Sequence, residues 1–170
     1  MGKCYIMGNS AGATIAYFAG LRVTEHDLEP LKIQGLILRQ VFLGGVERSG
    51  SEVRLEKDEF FPLCVADLLW ELALPVGADR DHEYANPRAE KWVGKLERVR
   101  DLGWRVLVSG TGGDVLIDRE KELVEMMKEK GVEVVSDFEE EGRHGVEYAD
   151  ESKAKQLIQV IKHFVSSSSV

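Results

Sequence analysis

Gly8-Asn9-Ser10-Ala11-Gly12 sets a serine between two glycines, after an apolar run that reads as a strand and before a small-residue run that reads as a helix. That is the pattern of a nucleophile elbow, a sharp turn that strains the serine backbone and in which a Cβ at either flanking position would clash. A serine so placed presents its hydroxyl at the C-terminal edge of a sheet. The helix N-terminus beneath it favours a developing oxyanion, and the N–H of Ala11 would be one donor to that oxyanion. The competing reading, a Gly-rich phosphate-binding turn, lacks both G-x-G-x-x-G and a G-K-S/T ending.

A serine nucleophile needs a base and an acid that orients the base, and behind such an elbow they come in the order Ser, then Asp or Glu, then His. Asp114 follows a third strand-like run in Ser109-Gly110-Thr111-Gly112-Gly113-Asp114, on a Gly-rich loop expected to be flexible. His144 follows a fourth, in Glu139-Glu140-Glu141-Gly142-Arg143-His144-Gly145. Loops after successive strands of a parallel sheet emerge at one edge, where ligands bind in such folds, so Ser10, Asp114 and His144 are expected to converge. There His144 would take the Ser10 proton, while Asp114 would fix its tautomer and stabilise the imidazolium. Asp118 is a rival acid and reads better as the N-cap of the helix it precedes. His26 and His82 in polar connections, and His163 on the last helix, read as surface residues. Cys4 and Cys64 sit in apolar segments with no C-x-x-C pair and read as reduced core thiols of a cytosolic chain. Neither metal nor redox chemistry nor a cofactor is expected.

Positioning those side chains takes an alternation of strand and helix. Lys3 to Met7, Ile33 to Phe42, Trp104 to Ser109 and Val132 to Phe138 read as strands, and their continuous apolar runs suit a parallel sheet covered on both faces. Helices are expected over Ala11 to Leu21, over Asp118 to Lys130 with Gly131 as its stop, and over Glu151 to Val165. In the last, Ala154, Leu157, Ile158, Ile161, Phe164 and Val165 would make one buried face. The layout is α/β, a single domain over 1–165 with a serine tail, 166–170, expected to fray. The stretch 43–87 is too long for a connection inside a compact sheet and reads as an insertion or lid. Its apolar centre, Phe60 to Leu74, should cover something.

The 170 residues carry a formal charge of −8, from 22 basic and 30 acidic side chains, which argues against nucleic acid or an anionic membrane surface as partner. At 44% hydrophobic and 31% charged the chain has too much apolar content for disorder. No apolar run reaches the roughly 18 residues of a membrane span, and the first ten residues do not read as a signal peptide.

The elbow from Gly8 to Ala13, the run Gly112-Gly113-Asp114-Val115-Leu116-Ile117-Asp118-Arg119 and the segment Gly142-Arg143-His144-Gly145-Val146-Glu147 closely resemble plant carboxylesterases of the hormone-sensitive-lipase type, within the α/β-hydrolase fold. The resemblance also takes in Leu36 to Gln40 and Trp70 to Pro75. It implies a partial α/β-hydrolase fold of about four parallel strands flanked by helices, with a helical cap insertion over an acyl or alcohol pocket. It also implies a small-molecule ester substrate, Ser10 as nucleophile, Asp114 as acid and His144 as base. The family carries an N-terminal half with further strands and a His-Gly-Gly-Gly motif that completes the oxyanion hole. Here Gly44-Gly45 and Gly112-Gly113 are isolated pairs, so the chain is expected to be a C-terminal half with impaired activity, since loss of one oxyanion donor costs about 10² to 10³ in turnover. Two alternatives belong to the same group: a non-catalytic hormone receptor that has lost the histidine base, against which His144 weighs, and a lyase that eliminates water. A first strand over 3–7 left as a sheet edge, with Lys3 its one charge, is expected to drive self-association.

Overall fold

The computed structural model describes residues 4–167. Four segments form one parallel sheet, β1 (Cys4–Asn9), β2 (Ile33–Arg39), β3 (Arg105–Thr111) and β4 (Glu133–Glu139), in the spatial order β1-β2-β3-β4, with the edge strand β4 largely polar and part-exposed. Register sets Ile6, Leu36, Val106 and Val134 in one row across the sheet, and Asn9, Arg39, Ser109 and Asp137 in another at its C-terminal edge. The helices are α1 (Ala11–Val23), α2 (Gly50–Arg54), α3 (Leu63–Ala73), α4 (Glu90–Val93), α5 (Lys95–Asp101), α6 (Ile117–Glu129) and α7 (Glu151–Ser166). Alternation along the strands sorts the core into two faces. Leu36, Leu38, Val106 and Val108 pack with Ala13 and Tyr17 of α1, Leu96 and Val99 of α5 and Leu123 and Met127 of α6. On the other face Ile37 and Leu107 meet Phe164 of α7. Full burial of each such side chain contributes about 1.5–3 kcal/mol, so the sheet is pinned mainly through its central strands.

Local expectations were met unevenly. β2 stops at Arg39 rather than at Phe42, because Gln40 takes φ +45 and leaves the ladder, while Val41 and Phe42 stay buried in the turn beyond. Gly131, at φ +75, ends α6 as expected, with the N–H of Val132 reaching back to the Met127 carbonyl at 3.0 Å. Asp118 is not the N-cap of α6. That place falls to Leu116, and Asp118 sits in the first turn, where its Oδ2 accepts the Ser51 N–H at 2.6 Å and ties α6 to α2. Only Phe164 of the α7 stripe is fully buried, packed on Tyr5, Ile37 and Leu107, and Ile158 is exposed. The expected strand start at Lys3 and the tail from Ser168 lie outside the described residues, whereas Ser166 still belongs to α7.

The inserted stretch lies over the C-terminal edge. Leu63, Ala66 and Trp70 of α3 pack on Phe42 and on Val115 and Leu116. Two apolar residues of α3 cover nothing among the described residues: Leu68 is 51% and Leu72 74% exposed, on the side away from the stripe that meets the body. Cys64 is exposed on the same helix and Cys4 is half-buried, so neither is the core thiol expected; both are free. His26 and His163 are on the surface, and His82 is half-buried.

Candidate active site

Ser10 has φ 53 and ψ −125, a conformation that costs an ordinary residue of order 1–3 kcal/mol and persists only where the surroundings hold it. They do so from both sides. The Ser10 N–H donates to the Arg39 carbonyl at 2.9 Å, and the Ser10 carbonyl accepts from Ala13 and Thr14 as α1 begins. A Cβ on Gly8 would lie 2.1 Å from the Gly12 carbonyl oxygen, so strand and helix approach too closely for any other residue there. Gly12 differs from the expectation, because a Cβ on it meets nothing within 4 Å among the described residues. Ala11 is exposed as the first residue of α1, and its N–H is among those the helix itself leaves unpaired.

Asp114 reaches the same edge from the loop after β3. That loop holds glycines because it is crowded, not because it must flex: a Cβ on Gly112 would sit 2.2 Å from the Glu140 carbonyl oxygen and one on Gly113 2.1 Å from that of Gly142. Asp114 is buried, with Oδ1 accepting the Leu116 N–H at 3.1 Å. Its Oδ2 lies 2.7 Å from His144 Nδ1, and His144 Nε2 lies 2.9 Å from Ser10 Oγ. An Nδ1–H donated to the carboxylate leaves the Nε2 lone pair facing the serine hydroxyl, the tautomer a general base needs. All three candidate residues thus meet at one place, with the His144 side chain 16% exposed.

Several residues that sequence reasoning did not single out hold this arrangement. Phe61 stacks on the His144 ring with centroids 4.5 Å apart, and the Arg143 guanidinium lies over Phe60. Glu147, in the 3-10 turn Val146–Tyr148, bonds to Arg39 Nη2 at 3.2 Å and accepts from Asn9 Nδ2 at 2.8 Å. Burial pushes Glu147 up, but the bonds from Arg39 and Asn9 outweigh it and hold the carboxyl below its ordinary range. This buried pair ties the histidine loop to β1 and β2. Glu120 of α6 is fully buried beneath Gly110 with neither carboxyl oxygen hydrogen-bonded among the described residues. Burial first, and the nearby Asp114 charge second, push its carboxyl well above its ordinary value.

An apolar cavity of about 470 Å³ opens between α1 and α3 next to Ala11, lined by Thr14, Phe18, Phe42, Leu69 and Trp70. Phe42 and Trp70 stack as its base, 15° from parallel.

A strained serine at a strand-to-helix turn, with a histidine and an aspartate delivered by later strands of the same parallel sheet, defines an α/β protein with the geometry of serine hydrolases. The chain belongs to the alpha/beta hydrolase fold family, whose model matches residues 1–147. It is 47% identical over 165 residues to Carboxylesterase 20 of Arabidopsis thaliana, covering 96% of this chain and 50% of that protein. Similarity extends to 3-O-acetylpapaveroxine carboxylesterase CXE2 of Papaver somniferum, 46% identical over 163 residues, 96% of this chain and 52% of that one. Gibberellin receptor GID1 of Oryza sativa subsp. japonica is 33% identical over 131 residues, 76% of this chain and 35% of the receptor. The chain therefore spans about half the length of the curated carboxylesterases it matches. Among solved structures, esterase LipW from Mycobacterium marinum superposes with a TM-score of 0.78 at 18% identity, over 95% of this chain and 48% of that one, a likeness of fold.

Proposed function

We propose that this chain carries the nucleophile, acid and base of a serine carboxylesterase acting on small carboxylic esters. The observation that carries the reading is the continuous path from Asp114 Oδ2 through His144 to Ser10 Oγ, at 2.7 and 2.9 Å. Ser10 Oγ attacks the ester carbonyl carbon as His144 Nε2 takes its proton, and the carbonyl oxygen becomes an oxyanion facing the Ala11 N–H. Collapse expels the alcohol, which leaves with the proton held on His144, and the acyl group stays on Ser10. Water, deprotonated by His144, then releases the carboxylic acid and restores the serine. Asp114 keeps the imidazole oriented, and the face of Phe61 stabilises it when charged. The apolar cavity beside Ala11 suits the hydrocarbon part of an ester. Residues 1–170 hold no His-Gly-Gly-Gly run, so Ala11 supplies one oxyanion donor where such sites use two, and hydrolysis by this chain alone is slow.

A fluorophosphonate should label Ser10 in the folded chain, located by mass spectrometry, and Ser10→Ala should abolish both labelling and any hydrolysis of activated aryl esters. Turnover should fall at least about 10²-fold below that of a full-length relative. A folded chain that takes no label on Ser10 would end the esterase reading.

A further inference from the structure

Gln40 leaves β2 with φ +45, in the left-handed region that few residues other than Gly, Asn and Asp enter. Such strain persists only where the surroundings over-determine it. Gln40 is fully buried, and its N–H donates to the Ser109 carbonyl at 2.8 Å. Its side-chain amide is turned to the loop that carries His144. The Gly145 N–H donates to Gln40 Oε1 at 2.8 Å, while Gln40 Nε2 donates to the Arg143 carbonyl at 3.1 Å and to Thr111 Oγ1 at 3.2 Å. One carboxamide therefore holds the peptide groups on both sides of His144.

This pattern is the one a parallel strand offers its neighbour, in which a residue donates to the carbonyl before its opposite number and accepts from the N–H after it. Gln40 acts as a one-residue piece of sheet for a loop that has none. The loop needs it, because Gly142 at φ +116 and Gly145 at φ +65 flank the histidine as the two freest pivots in the segment. The amide has one usable orientation, since a flip would set its NH₂ against the Gly145 N–H and its oxygen against the Arg143 carbonyl. Thr111 Oγ1 also lies 3.3 Å from the Arg143 carbonyl as a donor, so the tie reaches the end of β3, from which Asp114 departs. We propose that Gln40 is the positioning residue of the candidate base, its amide bracketing His144 so that the ring meets Ser10 and Asp114 together. This assignment rests on the reading of His144 as the base.

The test uses two variants of the full chain and two readouts. Gln40→Leu removes donor and acceptor at similar volume. Gln40→Glu keeps an acceptor for Gly145 and, ionised, loses the donor to Arg143. The first readout is the downfield NMR signal of the His144 Nδ1 proton bonded to Asp114, which follows the seating of the ring and needs no turnover. The second is the rate at which a fluorophosphonate labels Ser10. We expect the signal to vanish in Gln40→Leu and weaken in Gln40→Glu. Labelling should slow about 10²-fold in Gln40→Leu and by less in Gln40→Glu, the scale of a small misplacement of a reacting group. If Gln40→Leu does not fold, Gln40→Glu carries the same comparison. An unchanged signal and labelling rate in either folded variant would overturn the assignment. A native chain that shows the signal but takes no label would sink the esterase reading alone, leaving Gln40 to be judged by the signal. A native chain with neither would sink both.

Discussion

Glu120 shows how much a single side chain can depend on its surroundings. It sits on α6 with no hydrogen-bond partner among the described residues, against the backbone of Gly110 and close to the charge of Asp114. In the unfolded chain it ionises near the ordinary carboxylate value; in the folded chain it stays protonated well above it. The folded state therefore binds the extra proton, and stability falls as pH rises from the unfolded value through the folded one. Gln is its neutral isostere. Glu120→Gln should leave stability at low pH nearly unchanged and remove this part of its decline toward higher pH. Urea unfolding at several pH values would check it, and an identical pH slope in the two proteins would mean that Glu120 is not held neutral.

The elbow makes a sharp contrast at the scale of an element. Gly8 on β1 and Gly12 on α1 look equivalent in Gly8-Asn9-Ser10-Ala11-Gly12, yet the added Cβ would meet the Gly12 backbone in the first case and open space in the second. Gly8→Ala forces strand and helix apart and should cost about 1–3 kcal/mol or more, together with loss of Ser10 labelling. Gly12→Ala should be neutral or stabilise the chain by up to about 1 kcal/mol, because alanine is the better helix former. Thermal unfolding of the two variants decides it. Equal destabilisation would show that something outside the described residues packs on Gly12. The Gly112-Gly113 pair follows the logic of Gly8: two loops cross there with backbone against backbone, and that contact brings the Asp114 loop to the His144 loop.

The whole molecule leaves two apolar regions open. β1 is an edge of the sheet, its described residues include neither a charged side chain nor a proline, and Met7 on it is 52% exposed. On α1 Ile15 is 70% exposed, and on α3 Leu72 is 74% exposed. An edge strand beside uncovered apolar side chains pairs readily with another chain. We expect the mean mass in sedimentation velocity to rise with concentration and to fall back toward 19.0 kDa in Met7→Lys, which puts a charge on that edge. A constant monomer mass over a hundredfold range (about 1–100 μM) would show that the edge is protected.

What the sequence determined by itself was local and ordered along the chain. The run from Gly8 to Gly12 announced its turn, Gly131 its helix stop, and the succession of apolar runs the parallel sheet, because strain, capping and periodicity act over a few residues. The order of Ser10, Asp114 and His144 after successive strands was enough to bring them to one edge. Tertiary structure decided how that edge is held. Parallel register sets Asn9, Arg39 and Ser109 side by side, and this makes Arg39 and Asn9 the partners of Glu147 and puts Gln40 beside the histidine loop. These contacts join residues more than a hundred positions apart, and no spacing in the chain records them. The same holds for burial. In the chain Glu120 is one more acidic residue among the charged positions of α6, and Leu72 belongs to the apolar stretch expected to cover something. Which of them is enclosed depends on what packs against each helix, a property of the assembled fold rather than of either segment.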